Sequence, residues 1–226
     1  MPAILRLFED TLSADGALEA PLPAMPRMVF VVHGGATVAG RALGDDEAWF
    51  GEGALSFAPG TAGVTCWRFE LAPASAADGS ARGRGVASRE KLAIRLDRLP
   101  GGDLLMRGDS VAFPPGGCAY LHTHQGPGIR CLIEGGIRID THGRSTSYGP
   151  GGAWFESGPE PVFAQAAGRA TRFIRVMVLP RALIGKSSIA YVNDDDKARP
   201  KSQQYKVYVD APIAPETAWA GGKSHV

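Results

Sequence analysis

Apolar residues in this chain fall in short runs of strand length. Strand signals begin in earnest at Met28 and recur through KLAIRLDRL, LLMRGDSVAF, the run Ile129 to Ile133, and RVMVLP. The runs are rich in β-branched and aromatic residues and are bounded by turn formers, the pattern of an all-β sandwich or barrel. Residues 1–15 differ: Ile4, Leu5, Phe8 and Leu12 have helix-like spacing and Ser13, Asp15 and Gly16 end the pattern, which predicts one short helix. Residues 17–26 carry three prolines and read as an extended linker or edge. Two further strands are predicted from SSIAYV and YKVYVDAPI within 186–213, followed by a loosely held tail from Pro215 to Val226.

The chain resembles itself. VVHGGATV (31–38) matches LIEGGIRI (132–139), AWFGEG (48–53) matches AWFESG (153–158), FAPGTAG (57–63) resembles FAQAAG (163–168), and RFELAP (68–73) parallels RVMVLP (175–180). The order is kept and the offset drifts only from 101 residues (31 to 132) to 107 (68 to 175). This points to a duplicated β unit, the alternative being hairpins that recur in any β-rich protein. The predicted organisation is a degenerate first unit at 1–73, a small and polar linker at 74–90, a second unit at 91–180, and an extension at 181–226 that completes a sheet or forms a dimer contact. The first unit lacks its leading strands, and an incomplete sheet exposes edges that proteins normally cover. A homodimer is expected on that ground.

Composition narrows the class. Thirty Gly, 17 Pro and an apolar share of 44% suit a soluble β-rich globular protein. A net charge of +1 gives no excess suited to nucleic acid or an anionic membrane. Cys66, Cys118 and Cys131 form neither a disulfide framework nor a CxxC site. With no secretory signal and no membrane-length apolar run, a cytoplasmic location is expected. GxSxG, GxxxxGK[ST] and HExxH are absent.

The chemistry concentrates between Gly116 and Gly135. His122 and His124 are two residues apart, so on a strand their imidazoles share a face. Turn formers precede them (Pro114 to Gly117) and follow them (Gly126 to Gly128).

Gly116, His122, His124 and Gly135 reproduce the spacing of the first motif of the cupin superfamily, G(X)5HXH(X)3–4E(X)6G. Glu156, Gly158, Pro161 and Gln165 fall where the second motif has its proline, glycine, histidine and asparagine. The resemblance covers about 91–180 well and, through the repeat, 28–73 weakly. It implies a bicupin of RmlC-like type: two antiparallel jelly-roll barrels, or double-stranded β-helices, the first incomplete. Many cupins hold a divalent metal with both first-motif histidines, the first-motif glutamate and the second-motif histidine. Here the last two positions are Gly128 and Pro161. A third donor must come from elsewhere, with Glu156 nearest and Gln165 and His142 behind it; a surface position for Glu156 is the alternative.

Arg130 shares the parity of Gly128 and Leu132, which would turn it into the barrel toward a substrate carboxylate; an outward salt bridge is the alternative. Tyr120 shares the parity of the histidines and is a candidate lining residue, as is Gln165. Three functions follow: a dioxygenase or isomerase using Fe, Mn, Ni or Zn on a small organic acid or aromatic substrate; a metal-free isomerase or epimerase with a histidine base; and a non-catalytic small-molecule sensor.

Overall fold

In the computed structural model, which describes residues 2–215, the segment expected as a short helix is a strand, β1 (Ala3–Leu18). Its helix-like spacing misled because both faces of the strand are covered. Leu5 and Leu7 are buried on one side, and Arg6, Phe8, Asp10 and Leu12 on the other. Arg6 and Asp10, polar positions between the apolar ones, are interior.

The chain divides into two units, one running to Leu99 and resumed at Ile213, the other Pro100–Pro212. In the first unit, β1 is followed by β2 (Arg27–Val38), β3 (Arg41–Leu43), β4 (Ala48–Gly51), β5 (Phe57–Pro73) and β6 (Gly83–Leu96). The sheet order is β3-β2-β5-β1-β6, with β4 also on β2. The expected linker at 74–90 is therefore strand from Gly83 onward. Its small and polar composition reflects an edge: β6 pairs only with β1 among the described residues, and most of its first half is exposed.

The second unit contains β7 (Leu104–Phe113), β8 (Cys118–His124), β9 (Gly128–Glu134), β10 (Ile137–Thr141), β11 (Arg144–Tyr148), β12 (Ala153–Glu156), β13 (Val162–Ala166) and β14 (Thr171–Pro180). After a 3-10 turn at Arg181–Leu183 come β15 (Ile189–Tyr191), a short helix α1 (Asp194–Ala198) and β16 (Gln204–Ile213). Two five-stranded antiparallel sheets, β11-β10-β13-β8-β15 and β12-β9-β14-β7-β16, supply a core that includes Val111, Phe113, Leu132, Ile137, Trp154 and Phe173. This is a jelly-roll barrel of cupin type. The two predicted C-terminal strands close its sheets within the chain: β15 on β8 and β16 on β7.

No helix among the described residues is long and apolar enough to cross a membrane. Residues 216–226 of the expected tail, with His225, lie outside the described residues.

Candidate metal centre

Two touching turns fix the end of the histidine strand. The His124 N–H donates to Gly158 O at 2.7 Å. Gly158 has φ +107, and a Cβ there would come within 2.7 Å of Gly126 backbone atoms, so only glycine allows the approach. This contact brings the end of β12, which carries Glu156, to the end of β8.

His122 and His124 are both buried, 4% exposed, with Nε2 atoms 3.2 Å apart. His122 Nδ1 lies 2.6 Å from Tyr120 O. A carbonyl only accepts, so this nitrogen carries the proton and leaves a lone pair on Nε2. His124 Nδ1 has Ser188 Oγ at 3.4 Å. Burial lowers the pKa of His122, with Arg130 and Arg175 acting the same way against the Tyr120 hydrogen bond and the Glu156 carboxylate. Burial, then Arg130, Arg175 and His122, hold His124 well below the ordinary range. Both rings are neutral bases near pH 7.

The candidate for a third donor is Glu156. It stands directly opposite Gly128 in the β12–β9 ladder, is 7% exposed, and places Oε2 at 3.5 Å from His124 Nε2. Trp154 Nε1 donates to its Oε1 at 2.9 Å. Arg130 Nη2 approaches Oε2 to 2.7 Å, but neither atom makes an aligned hydrogen bond, so the contact is an ion pair without N–H directionality. Arg130 Nη1 donates to Gly128 O at 2.7 Å. Burial pulls the Arg130 guanidinium down to about 10, with Arg175 acting the same way against Glu156 and Asp109. Behind it, Arg175 and Asp109 form a buried bidentate pair at 2.8 and 2.6 Å.

These residues fit a divalent transition metal. The three donor atoms lie within 4.8 Å of one another. Two donors sharing an ion through bonds of about 2.1 Å are separated by about 3.0 Å at a right angle and about 3.4 Å at a tetrahedral one, which brackets the histidine separation. The 4.8 Å spread of the set requires the Glu156 carboxylate to turn inward to share the ion. Two imidazoles and a carboxylate form the set used by non-haem iron and by zinc centres, and Glu156 Oε2 is a buried acceptor with no hydrogen bond. A cavity of about 20 Å³ adjoins them, lined by His122, His124, Arg130, Glu156, Arg175 and Tyr205 among others; that is room for about one water.

Arg130 thus faces the barrel interior, the first of the two positions its parity left open. Tyr120 does not line the cavity. Between Ala119 and His122, β8 has one more residue than the facing stretch of β13 from Val162 to Ala164. That bulge reverses the alternation, so Ala119 faces inward. Tyr120 instead packs under Arg199 and Lys201. Gln165 alternates with the inward Ala164 and donates to Gly116 O at 2.8 Å, bracing the turn before β8. His142 is exposed beside Glu160, at 3.6 Å. Sequence reasoning overlooked Arg175, Asp109 and Trp154. Arg175 had a legible signal, a charge between the apolar residues Ile174 and Val176.

The fold and the cluster together define a cupin-type barrel with a His-His-carboxylate centre. Its likeness to solved structures is one of fold. A point mutant of Bacillus subtilis oxalate decarboxylase superposes with a TM-score of 0.62 at 12% identity, over 86% of this chain and 73% of that one. A second point mutant of the same enzyme gives 0.61 at 12%, over 87% and 73%. A mutant salicylate 1,2-dioxygenase from Pseudoaminobacter salicylatoxidans, in complex with gentisate, gives 0.52 at 12%, over 76% and 68%. No protein-family profile matches the chain, and no curated protein sequence does.

Proposed function

We propose that this protein binds a divalent transition metal (Fe, Mn, Ni or Zn) through His122, His124 and Glu156 and acts on a small organic acid. The carrying observation is the register of Glu156 with Gly128, which adds a carboxylate to the histidine pair. A metal held there would supply Lewis acidity and positions for substrate oxygens. The Tyr120 carbonyl orients His122, Trp154 orients Glu156, and Arg130 is placed to trade its ion pair with Glu156 for a substrate carboxylate. The small cavity keeps bulk water from the donors. Dioxygenase and isomerase chemistry both suit such a centre.

Metal analysis of protein purified without chelator, beside the His122→Ala/His124→Ala variant, tests the reading. Bound metal in the parent alone supports it; equal and negligible metal in both sinks it.

The Arg130–Glu156 ion pair favours a second reading, a metal-free isomerase, because a guanidinium already neutralises the carboxylate. Activity that requires His124 and survives exhaustive chelation would select it.

We also read the two units as duplicated cupin folds, supported by their equivalent strand orders β4-β2-β5-β1-β6 and β12-β9-β14-β7-β16. A cytoplasmic home accords with Cys66, Cys118 and Cys131 all being thiols. A homodimer accords with β16, whose Tyr205 and Val207 are 47% and 57% exposed. Monomers in light scattering would count against it.

A further inference from the structure

The first unit buries a charge cluster that the metal centre does not explain. Arg6, Arg27 and Arg68 lie with Asp10 and Glu70, all at 3% exposure or less. Arg68 takes Asp10 through Nε and Nη2 at 2.7 and 3.3 Å, and Ser88 also donates to Asp10. Glu70 is shared by three guanidiniums: Arg68, Arg6 at 3.2 Å and Arg27 at 3.1 Å. Three cations against two carboxylates leave one positive charge unmatched. The loop after β5 offsets part of it with carbonyls: Ala77 O accepts from Arg6 at 2.8 Å and Gly79 O from Arg68 at 2.9 Å. Arg6 Nε and Arg27 Nε and Nη1 still have no hydrogen-bond partner. Burial, with Arg68 and Arg6, holds Arg27 down at about 10 in spite of Glu70. The cluster is short of one anion.

A pocket of about 280 Å³ adjoins it. Arg6 and Glu70 contribute the cluster's charge to its lining, Pro23, Met25, Pro73 and Ala76 supply apolar surface, and Asp78 is already paired with Arg82 at 3.2 Å. At about 30 Å³ per non-hydrogen centre, this is room for about nine atoms.

We propose that this pocket is a binding site for a small organic carboxylate, whose anionic head completes the arginine cluster while its apolar body lies against the prolines and Met25. Of the three guanidiniums Arg6 lines the pocket, and its Nε is a buried donor with no hydrogen bond, which a carboxylate would match; an apolar lining with few polar groups is the ordinary make-up of a ligand site.

Isothermal titration of the full chain with benzoate, benzamide and inorganic phosphate tests this. It is run also in the chelated His122→Ala/His124→Ala variant, so that carboxylate binding at the metal centre is separated from binding here. Benzoate is expected to bind both proteins alike, and benzamide about tenfold or more weakly for want of a charge-assisted hydrogen bond. Arg6→Met should weaken benzoate by a similar factor. Where circular dichroism shows that Arg6→Met unfolds, Ala76→Trp, which fills the pocket and leaves every arginine in place, should abolish binding. The proposal is overturned by absence of benzoate heat in the folded parent, by equal binding of benzamide, by binding of phosphate alone, or by undiminished binding to Ala76→Trp.

Discussion

Glu156 and Gly128 face each other across the β12–β9 ladder. On the proposed metal-binding reading, Glu156 brings to the histidines the carboxylate that Gly128 lacks. The exchange is not reversible at Gly128. A Cβ there would lie 2.6 Å from Val176 O and 2.7 Å from Met177 Cγ, in the space that lets Arg130 fold back on Gly128 O. The double variant Gly128→Glu/Glu156→Gly should therefore fail to restore metal. Gly128→Ala alone should cost about 1–3 kcal/mol by overpacking, measured by urea unfolding. Metal retained by the double variant would overturn this account.

Trp154 reaches Glu156 across one intervening residue on the same strand and donates to Oε1, leaving Oε2 toward His124. Supporting hydrogen bonds of this kind carry about tenfold to hundredfold in metal affinity. Trp154→Phe keeps an aromatic ring against Tyr148 and Phe173 while deleting the N–H. It is expected to weaken metal binding by about tenfold, in competition with a chromophoric chelator, with a small change in thermal midpoint. Unchanged affinity would mean that the carboxylate needs no such orienting partner.

The barrel and the location of its candidate site were legible because each left a local trace. The HXH pair lies on one strand between two glycine-rich turns, and short apolar runs mark the strands. For Arg130, alternation left an inward and an outward position both open, and the structure has it inward. The errors share one cause, that alternation depends on a register the chain does not print. A bulge between Ala119 and His122 turned Tyr120 away from the cavity. In β1, burial on both faces concealed the period of two and imitated a helix. The Arg175–Asp109 pair needed the β14–β7 register, which sets those two residues opposite each other.

That pair lies within the interior charge set, with side chains 6% and 3% exposed. Removing one partner strands the other in a poorly solvated site, which costs about 3–5 kcal/mol, whereas replacing both with apolar residues of similar volume is often close to neutral. Asp109→Leu alone should thus unfold at markedly lower urea than the parent. Arg175→Met/Asp109→Leu should recover most of the difference. A double variant as unstable as the single would show that the pair holds more than itself in place.

The histidines give metal-free protein a defined acid sensitivity. In the unfolded chain both titrate near 6.5, while in the fold burial and the neighbouring guanidiniums lower His122 and lower His124 further. As pH falls through about 6.5, the unfolded state gains protons that the folded state refuses, so the equilibrium moves toward unfolding. Above about pH 7 neither state is protonated and the term vanishes. The loss continues downward until the folded-state values are reached, so His124 contributes over the wider window. Each histidine can add at most about 1.4 kcal/mol per pH unit there. Urea midpoints of chelated protein at pH 7.5 and 5.5 should therefore differ more in the parent than in His122→Gln/His124→Gln, which has no imidazole to charge. Equal pH dependence in the two proteins would place the acid sensitivity elsewhere in the chain.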